Sequence, residues 1–177
     1  LFRSRLAIKA VCPDNEMLTD DKGMPGVYVK FAPHTLSELL TSGDSSVHPA
    51  FLVGGQQKSA VYIGKFQGMA NNNRIYSLPG EEPKHTINLD TYETYCKNKG
   101  AGHHCITAAE WALLALISKK LGTQPKGNNN YGKDSRETLY KAIPTTKSSG
   151  QTNRVATGTG PSTWSHDRTL GGIWDMN

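Results

Sequence analysis

The 177 residues are enough for one domain with a real core, or for a small domain with an appendage. With 36% hydrophobic and 20% charged residues, 18 glycines and nine prolines, the composition is globular but polar and rich in turns, which argues against a helical bundle. The formal charge of +5 is modest, and its densest group (Arg3, Arg5 and Lys9) lacks interleaved aromatics, so nucleic acid is not an expected partner; nor is there a run of about 18 apolar residues to span a membrane.

In chain order, Leu6–Cys12 and Gly26–Phe31 read as strands, separated by a polar turn region holding Pro13, Asp14, Asn15, Asp20, Asp21 and Gly23. Val27, Val29 and Phe31 alternate with Tyr28 and Lys30, the period of a half-buried strand. The capping-box pattern Thr35-Leu-Ser-Glu38 opens a short helix through Leu40, which Gly43 stops. Ala50–Val53, the Gly54-Gly55 turn and Ser59–Phe66 predict a hairpin. Asn71, Asn72 and Asn73 then form a loop, Arg74–Leu78 a short strand, and Pro79, Gly80 and Pro83 keep the chain extended.

Two helices carry the clearest signals. Asn88 is an N-cap, with Asp90 and Glu93 near the positive helix end, Leu89, Tyr92 and Cys96 on one apolar face, and Gly100 at the C′ position. Thr107-Ala-Ala-Glu110 is a second capping box; Trp111, Leu114, Ala115 and Ile117 are expected to face inward, Lys119 and Lys120 suit the last turn, and Gly122 ends the helix. From Thr123 to Ser165 the chain is loop-like, with one helical turn expected near Ser135–Ala142. So long a stretch is either an ordered functional loop system or disorder, and Trp164 and Trp174 favour order because large aromatics are usually held by a core.

Three cysteines (Cys12, Cys96 and Cys105) are too few for a disulfide framework; buried free thiols are the default, with a Cys96–Cys105 bridge the alternative. His103 and His104 beside Cys105 match no usual zinc spacing, so surface imidazoles in a turn are expected and no metal site is assigned. Ser165, His166 and Asp167 are too close in sequence to fold into a nucleophile–base–orienter line. Gly158-Thr-Gly160 lacks the strand-then-helix context of a phosphate loop. No catalytic residue is assigned. The segment Gly127–Asp134 is more informative, because Asn and Gly tolerate left-handed backbone and favour a tight, self-bonded loop. Its amide and carboxylate oxygens are also of the kind calcium takes, though not at the helix–loop–helix spacing, so a structural loop and a ligand site both stand. The candidate ligand-binding residues are Asn128, Asn129, Asn130, Asp134, Trp164 and His166.

Several of these segments together resemble the formylglycine-generating-enzyme type of C-type-lectin-like domain. Asn88-Leu-Asp-Thr-Tyr through Gly100 looks like that family's first long helix, and Ile106-Thr-Ala-Ala-Glu-Trp-Ala like its second. Lys126-Gly-Asn-Asn-Asn-Tyr-Gly stands where the family has a Trp-Gly-Asn loop, Tyr62-Ile-Gly-Lys-Phe66 is similar to an early strand, and Gly172-Ile-Trp-Asp-Met-Asn177 to the start of the Gly-Leu-x-Asp-Met-x-Gly-Asn-Val-Trp-Glu-Trp signature. The flavour is that of phage and diversity-generating binding proteins, which carry Gly-Thr-Gly-Pro-x-x-Trp-Ser-His-Asp before the signature. The resemblance covers roughly residues 50–177 and implies an α+β, C-type-lectin-like fold with two main helices, small antiparallel sheets and long ordered loops. It leaves 1–49 as an N-terminal strand and short-helix segment, either integral or an attachment arm.

By this resemblance the chain is a non-catalytic module, on a phage tail or other virion, that binds a protein or glycan on a cell surface. Extracellular and cytoplasmic settings, and a homo-oligomer, remain open. The rivals are a copper-dependent oxidase relative and a purely structural virion subunit. None of Cys12, Cys96 and Cys105 matches the family's copper-binding cysteines, so catalysis does not carry over. The signature would continue after Asn177, and the chain opens without Met and without a recognisable secretory leader. A fragment of a longer polypeptide, with its remaining C-terminal part packed alongside, is therefore the expectation.

Overall fold

A computed structural model describes residues 2–177. The middle of its main sheet is β2 (Pro25–Phe31), flanked by β1 (Asn15–Thr19) and β5 (Val61–Gly64), all antiparallel. Val27, Tyr28 and Val29 are buried in succession, so β2 is covered on both faces rather than half-buried as its alternation predicts. Asp20 closes the β1–β2 turn by accepting from the backbone of Lys22 and Met24, and its other oxygen takes the Tyr76 hydroxyl at 2.7 Å and Arg74 at 2.8 Å. One carboxylate thereby ties the sheet to β7 (Arg74–Ser77).

The N-terminal expectation needs correction. Leu6–Cys12 is not a strand: Phe2–Val11 is a helix, α1, and the strand lies at Asn15–Thr19, inside the region read as a turn. Arg3, Arg5, Leu6, Ala7, Lys9 and Ala10 are strong helix formers, and their propensity outweighs a short apolar run. The helix is anchored to β1 by Lys9–Glu16 at 2.7 Å; Ile8 is half-buried, while Arg3–Ala7 and Lys9–Val11 are exposed. The short helix α2 (Leu36–Leu39) has the full Thr35/Glu38 capping box.

Three hairpins use two-residue loops with positive φ at both central positions, the turn whose twist suits paired strands. They join β3 (Leu52–Val53) to β4 (Gln56–Gln57) through Gly54-Gly55, β6 (Gly68–Asn71) to β7 through Asn72-Asn73, and β8 (Pro144–Ser148) to β9 (Gln151–Val155) through Ser149-Gly150. Val61–Gly64 does not pair with Ala50–Val53 as expected; it pairs with β2, placing Ile63 opposite Val29. The sheet therefore crosses residue 49/50, and Val29, Phe31, Leu39, Ala50, Phe51, Ile63, Leu113, Leu114 and Ile173 share one core. Each fully buried large side chain among them contributes on the order of 2 kcal/mol.

α3 (Leu89–Lys97) and α4 (Ala108–Leu121) follow as predicted, with caps at Asn88 and Thr107, and Gly122 in the left-handed conformation. Gly100 sits one position beyond the expected C′, because the helix ends at Lys97 with Asn98 as cap. Leu89 is exposed rather than inward-facing, and on α4 the buried positions are Glu110, Leu113, Leu114 and Ser118, so Trp111 and Ala115 face out. No helix forms over 135–142; turns and the Asn130–Lys133 and Asp134–Glu137 bridges replace it. The loop region is ordered by a second core of Ala142, Trp164 and Trp174, with Phe66 and Val155 against it. The fold is thus mixed α and β, with four α-helices and small antiparallel sheets and no barrel among the described residues. No described helix is long and apolar enough to cross a membrane.

Candidate functional site

The asparagine-rich loop is built around Asp134, which is wholly enclosed. Its carboxylate accepts five hydrogen bonds: from the Gly127 backbone at 2.9 Å, from Asn129 Nδ2 at 3.1 Å, and from Arg136 through its backbone N, Nε and Nη2 at 2.8, 2.9 and 2.7 Å. The Arg136 side chain, ahead of the backbone donors, holds the Asp134 carboxyl well below the usual carboxylate range. Asn128 Oδ1 accepts from Gly132 N at 2.7 Å, Asn129 Oδ1 from Ser135 N at 2.8 Å, and Asn130 bridges to Lys133. Tyr131 and Gly132 both adopt positive φ, the backbone that this tight loop requires. A calcium ion here would have to displace the Arg136 guanidinium from the Asp134 carboxylate. Among the described residues no three His, Cys, Asp or Glu side chains converge as metal ligands.

Trp164 is completely buried against Gly160, where a Cβ would lie 2.4 Å from the indole. His166 is buried too: its Nδ1 accepts from Ile173 N at 2.9 Å and its ring meets Phe31 edge-on at 5.8 Å. Burial lowers its pKa, so it sits as a neutral imidazole. Ser165 Oγ lies 3.1 Å from Asp167 and bonds to the Ser162 and Thr169 carbonyls, which leaves no Ser–His contact for a triad. Of the six candidate residues, Asp134, Trp164 and His166 are frame-forming, while Asn129 and His166 also reach the wall of an open cleft.

That cleft, of about 670 Å³, is walled by Trp111, Ser118, Lys119, Arg136 and Pro125 among others. A second, of about 510 Å³, shares Trp111 with the first and is lined by Tyr28, Tyr92, Lys99, His103 and Trp174, with both Cys96 and Cys105 in its wall. Trp111, Met176 and Asn177 border both clefts, so together they form one trough. Asn177 is seated against the asparagine loop, since a Cβ at Gly127 would fall 1.8 Å from its Oδ1.

Trp111, shared by the walls of both clefts, follows directly on the α4 capping box. Glu110 accepts from Thr107 N at 2.7 Å and from Thr107 Oγ1 and His104 Nε2 at 3.0 Å each. Burial works against the Glu110 charge, but the His104 and Thr107 hydrogen bonds outweigh it and lower its pKa; the same bond raises His104. Lys99 is buried between the Tyr28 and Tyr76 rings, with Nζ 5.2 and 5.0 Å from their centroids and a bond to the Tyr28 hydroxyl. Burial lowers the Lys99 and His103 pKa values and pushes the Tyr28 and Tyr92 hydroxyls up to about 12. The trough can therefore offer aromatic faces, a polar rim and fixed hydrogen-bond donors.

The apolar pattern of α4 points Trp111 inward, whereas the structure places it at the surface. The pattern 110, 113, 114, 117, 118 is equally helical, but its first member is a glutamate. In comparison with known proteins, no protein-family model matches the chain and no curated protein is similar to it.

Proposed function

We propose that this chain is a non-catalytic binding module with a C-type-lectin-like fold of the formylglycine-generating-enzyme type, carried on a virion such as a phage tail and recognising a protein or glycan on a cell surface. The observation that carries the reading is the trough itself: an exposed indole, 47% accessible, fixed on a doubly capped helix between two clefts. Such concave, aromatic-lined surfaces with a few fixed polar groups are what binding sites are made of. The loop system supports it, because loops braced by a rigid frame are where recognition residues sit.

Binding of the purified chain to intact bacterial cells, to their extracted surface proteins and to a glycan array tests the proposal, with Trp111→Ala as the paired variant. Saturable binding that the variant weakens at least about tenfold is expected, as for an aromatic anchor. Absence of binding on every surface, or equal binding by the variant, overturns it.

A further inference from the structure

We propose that the cleft walled by Trp111, Lys119 and Arg136 is a subsite for a carboxylate-bearing sugar, a uronic or sialic acid residue, with His166 Nε2–H as its buried donor. This subsite belongs to the trough proposed above as a binding surface and rests on that reading. His166 Nδ1 accepts from Ile173 N at 2.9 Å, so the one proton of the neutral ring sits on Nε2. Among the described residues nothing accepts from Nε2, yet it is not one of the enclosed atoms without a partner, which are Thr146 Oγ1 and Trp164 Nε1. Nε2–H therefore meets open space, and the open space that His166 borders is this cleft. The direction of the donor is fixed. His166 N bonds to Ile173 O at 2.8 Å, its carbonyl accepts from Ser118 Oγ and Thr123 Oγ1 at 2.7 Å each, and the ring packs edge-on to Phe31. A donor on a side chain this deeply buried, held in place and bound to nothing in the protein, is one that a ligand's acceptor completes.

The charges around that donor select the acceptor. No Asp or Glu side chain borders the cleft, whereas Lys119 and Arg136 both do. Of the described lysines, Lys9, Lys97 and Lys126 are ion-paired; the exposed Lys119 is not. Arg136 commits Nε and Nη2 to Asp134 and Pro125 O, which leaves Nη1 without a protein partner. Asp134 neutralises Arg136, so the uncompensated charge at the rim is the Lys119 ammonium. Unpaired donors with no carboxylate side chain to compete favour an acceptor that is itself charged, since charge-assisted hydrogen bonds are about twice as strong as neutral ones. The half-exposed Trp111 indole on the same cleft decides for a sugar over an acidic peptide, because a pyranose ring presents a flat face of C–H groups to it. The exposed Gln124 amide, unbound within the protein, can pair with ring hydroxyls as donor and acceptor. Asn129 takes no part, because both ends of its amide are bound within the loop.

The test titrates the whole folded protein, by calorimetry, with methyl glucuronide, the methyl glycoside of N-acetylneuraminic acid, methyl glucoside and the blocked dipeptide acetyl-Glu-Glu-amide. Nitrogen–proton spectra of labelled protein follow the His166 Nε2–H signal in the same titrations. The expected result is saturable binding of an acidic sugar, at least about tenfold tighter than methyl glucoside, with a shift of the His166 Nε2 signal. Lys119→Gln should weaken it roughly threefold, while Lys120→Gln, whose Nζ is turned to Glu38 O, should leave it unchanged. No saturable response to either acidic sugar, equal affinity for methyl glucoside, preference for the dipeptide, an unmoved His166 Nε2 signal or an unaffected Lys119→Gln overturns the subsite. Any of these beside Trp111-dependent binding to cells or arrays overturns the subsite alone; together with absent cell and array binding it removes the wider reading as well.

Discussion

Replacing Asp134 with Asn removes one charge from a fully enclosed position and puts an NH₂ where an acceptor stood. Five donors converge on the carboxylate, and an amide oxygen can serve only one side of it, so either Arg136 N and Nε or Gly127 N, Asn129 Nδ2 and Arg136 Nη2 then face a donor. Each hydrogen bond to a charged group is worth about 1.5–3 kcal/mol net, but the Arg136 side chain is 48% accessible and regains water. The buried Gly127 N–H has no such recourse. The expected cost of Asp134→Asn is therefore about 3 kcal/mol, less than for breaking a wholly buried ion pair. Urea unfolding followed by far-ultraviolet circular dichroism measures it as a fall in midpoint at constant slope. The folded-state pKa of Asp134 is depressed from 3.8, so its stabilisation is complete above that value and is lost as pH falls through the folded pKa. The gap between wild type and variant should accordingly narrow in acid. A variant within about 0.5 kcal/mol of wild type at neutral pH would refute the bracing role of the loop.

Thr107→Ala should cost about 1 kcal/mol by deleting the α4 capping box, read as the same midpoint shift. At Gly158, φ is +70° and a Cβ would lie 2.3 Å from the Phe66 ring, so Gly158→Ala should cost about 2–4 kcal/mol from left-handed strain plus overpacking; a thermal midpoint within error of wild type would contradict this. Burial lowers the pKa values of His48, His103 and His166, so below 6.5 the unfolded chain takes up protons that the fold excludes. His104, raised by Glu110, and Asp175, raised by burial, oppose them. Thermal melts should therefore show lower stability at about pH 5.5 than at about pH 7.5, and the reverse order would be incompatible with these buried imidazoles.

Helix caps were the most legible feature of the sequence, because a Thr or Asn followed three residues later by an acceptor-seeking backbone is a purely local device. Thr35, Asn88, Thr107 and Gly122 all act where their chemistry puts them. Strand partners were not legible, since pairing is a tertiary choice: Val61–Gly64 is strand-like by itself, but nothing local says that it joins β2 rather than Leu52–Val53. The Ser149-Gly150 turn was hidden because its flanking strands are short and polar, without the alternation that would have flagged a hairpin, and the first strand of the Asn72-Asn73 hairpin because Gly68–Asn71 is only four residues long. At the candidate site, the density of Asn and Asp in 127–134 was visible, but the role of each carboxylate depends on which donors reach it. Arg136, two residues away, decides that Asp134 is a structural hub. The trough draws on residues from Tyr28 to Asn177 and has no local signature at all.

The chain's three tryptophans fall into two optical classes. Trp164 and Trp174 are enclosed in the second core, whereas Trp111 stands in solvent at the meeting of the two clefts. Excited at the red edge, the folded protein should emit chiefly from this one indole, and a dissolved quencher such as iodide should extinguish that component alone. Whatever enters the trough would shield it and shift its emission to the blue. On the proposed reading the molecule carries its own label at the binding surface, and a screen of candidate partners can begin with unmodified protein in a cuvette.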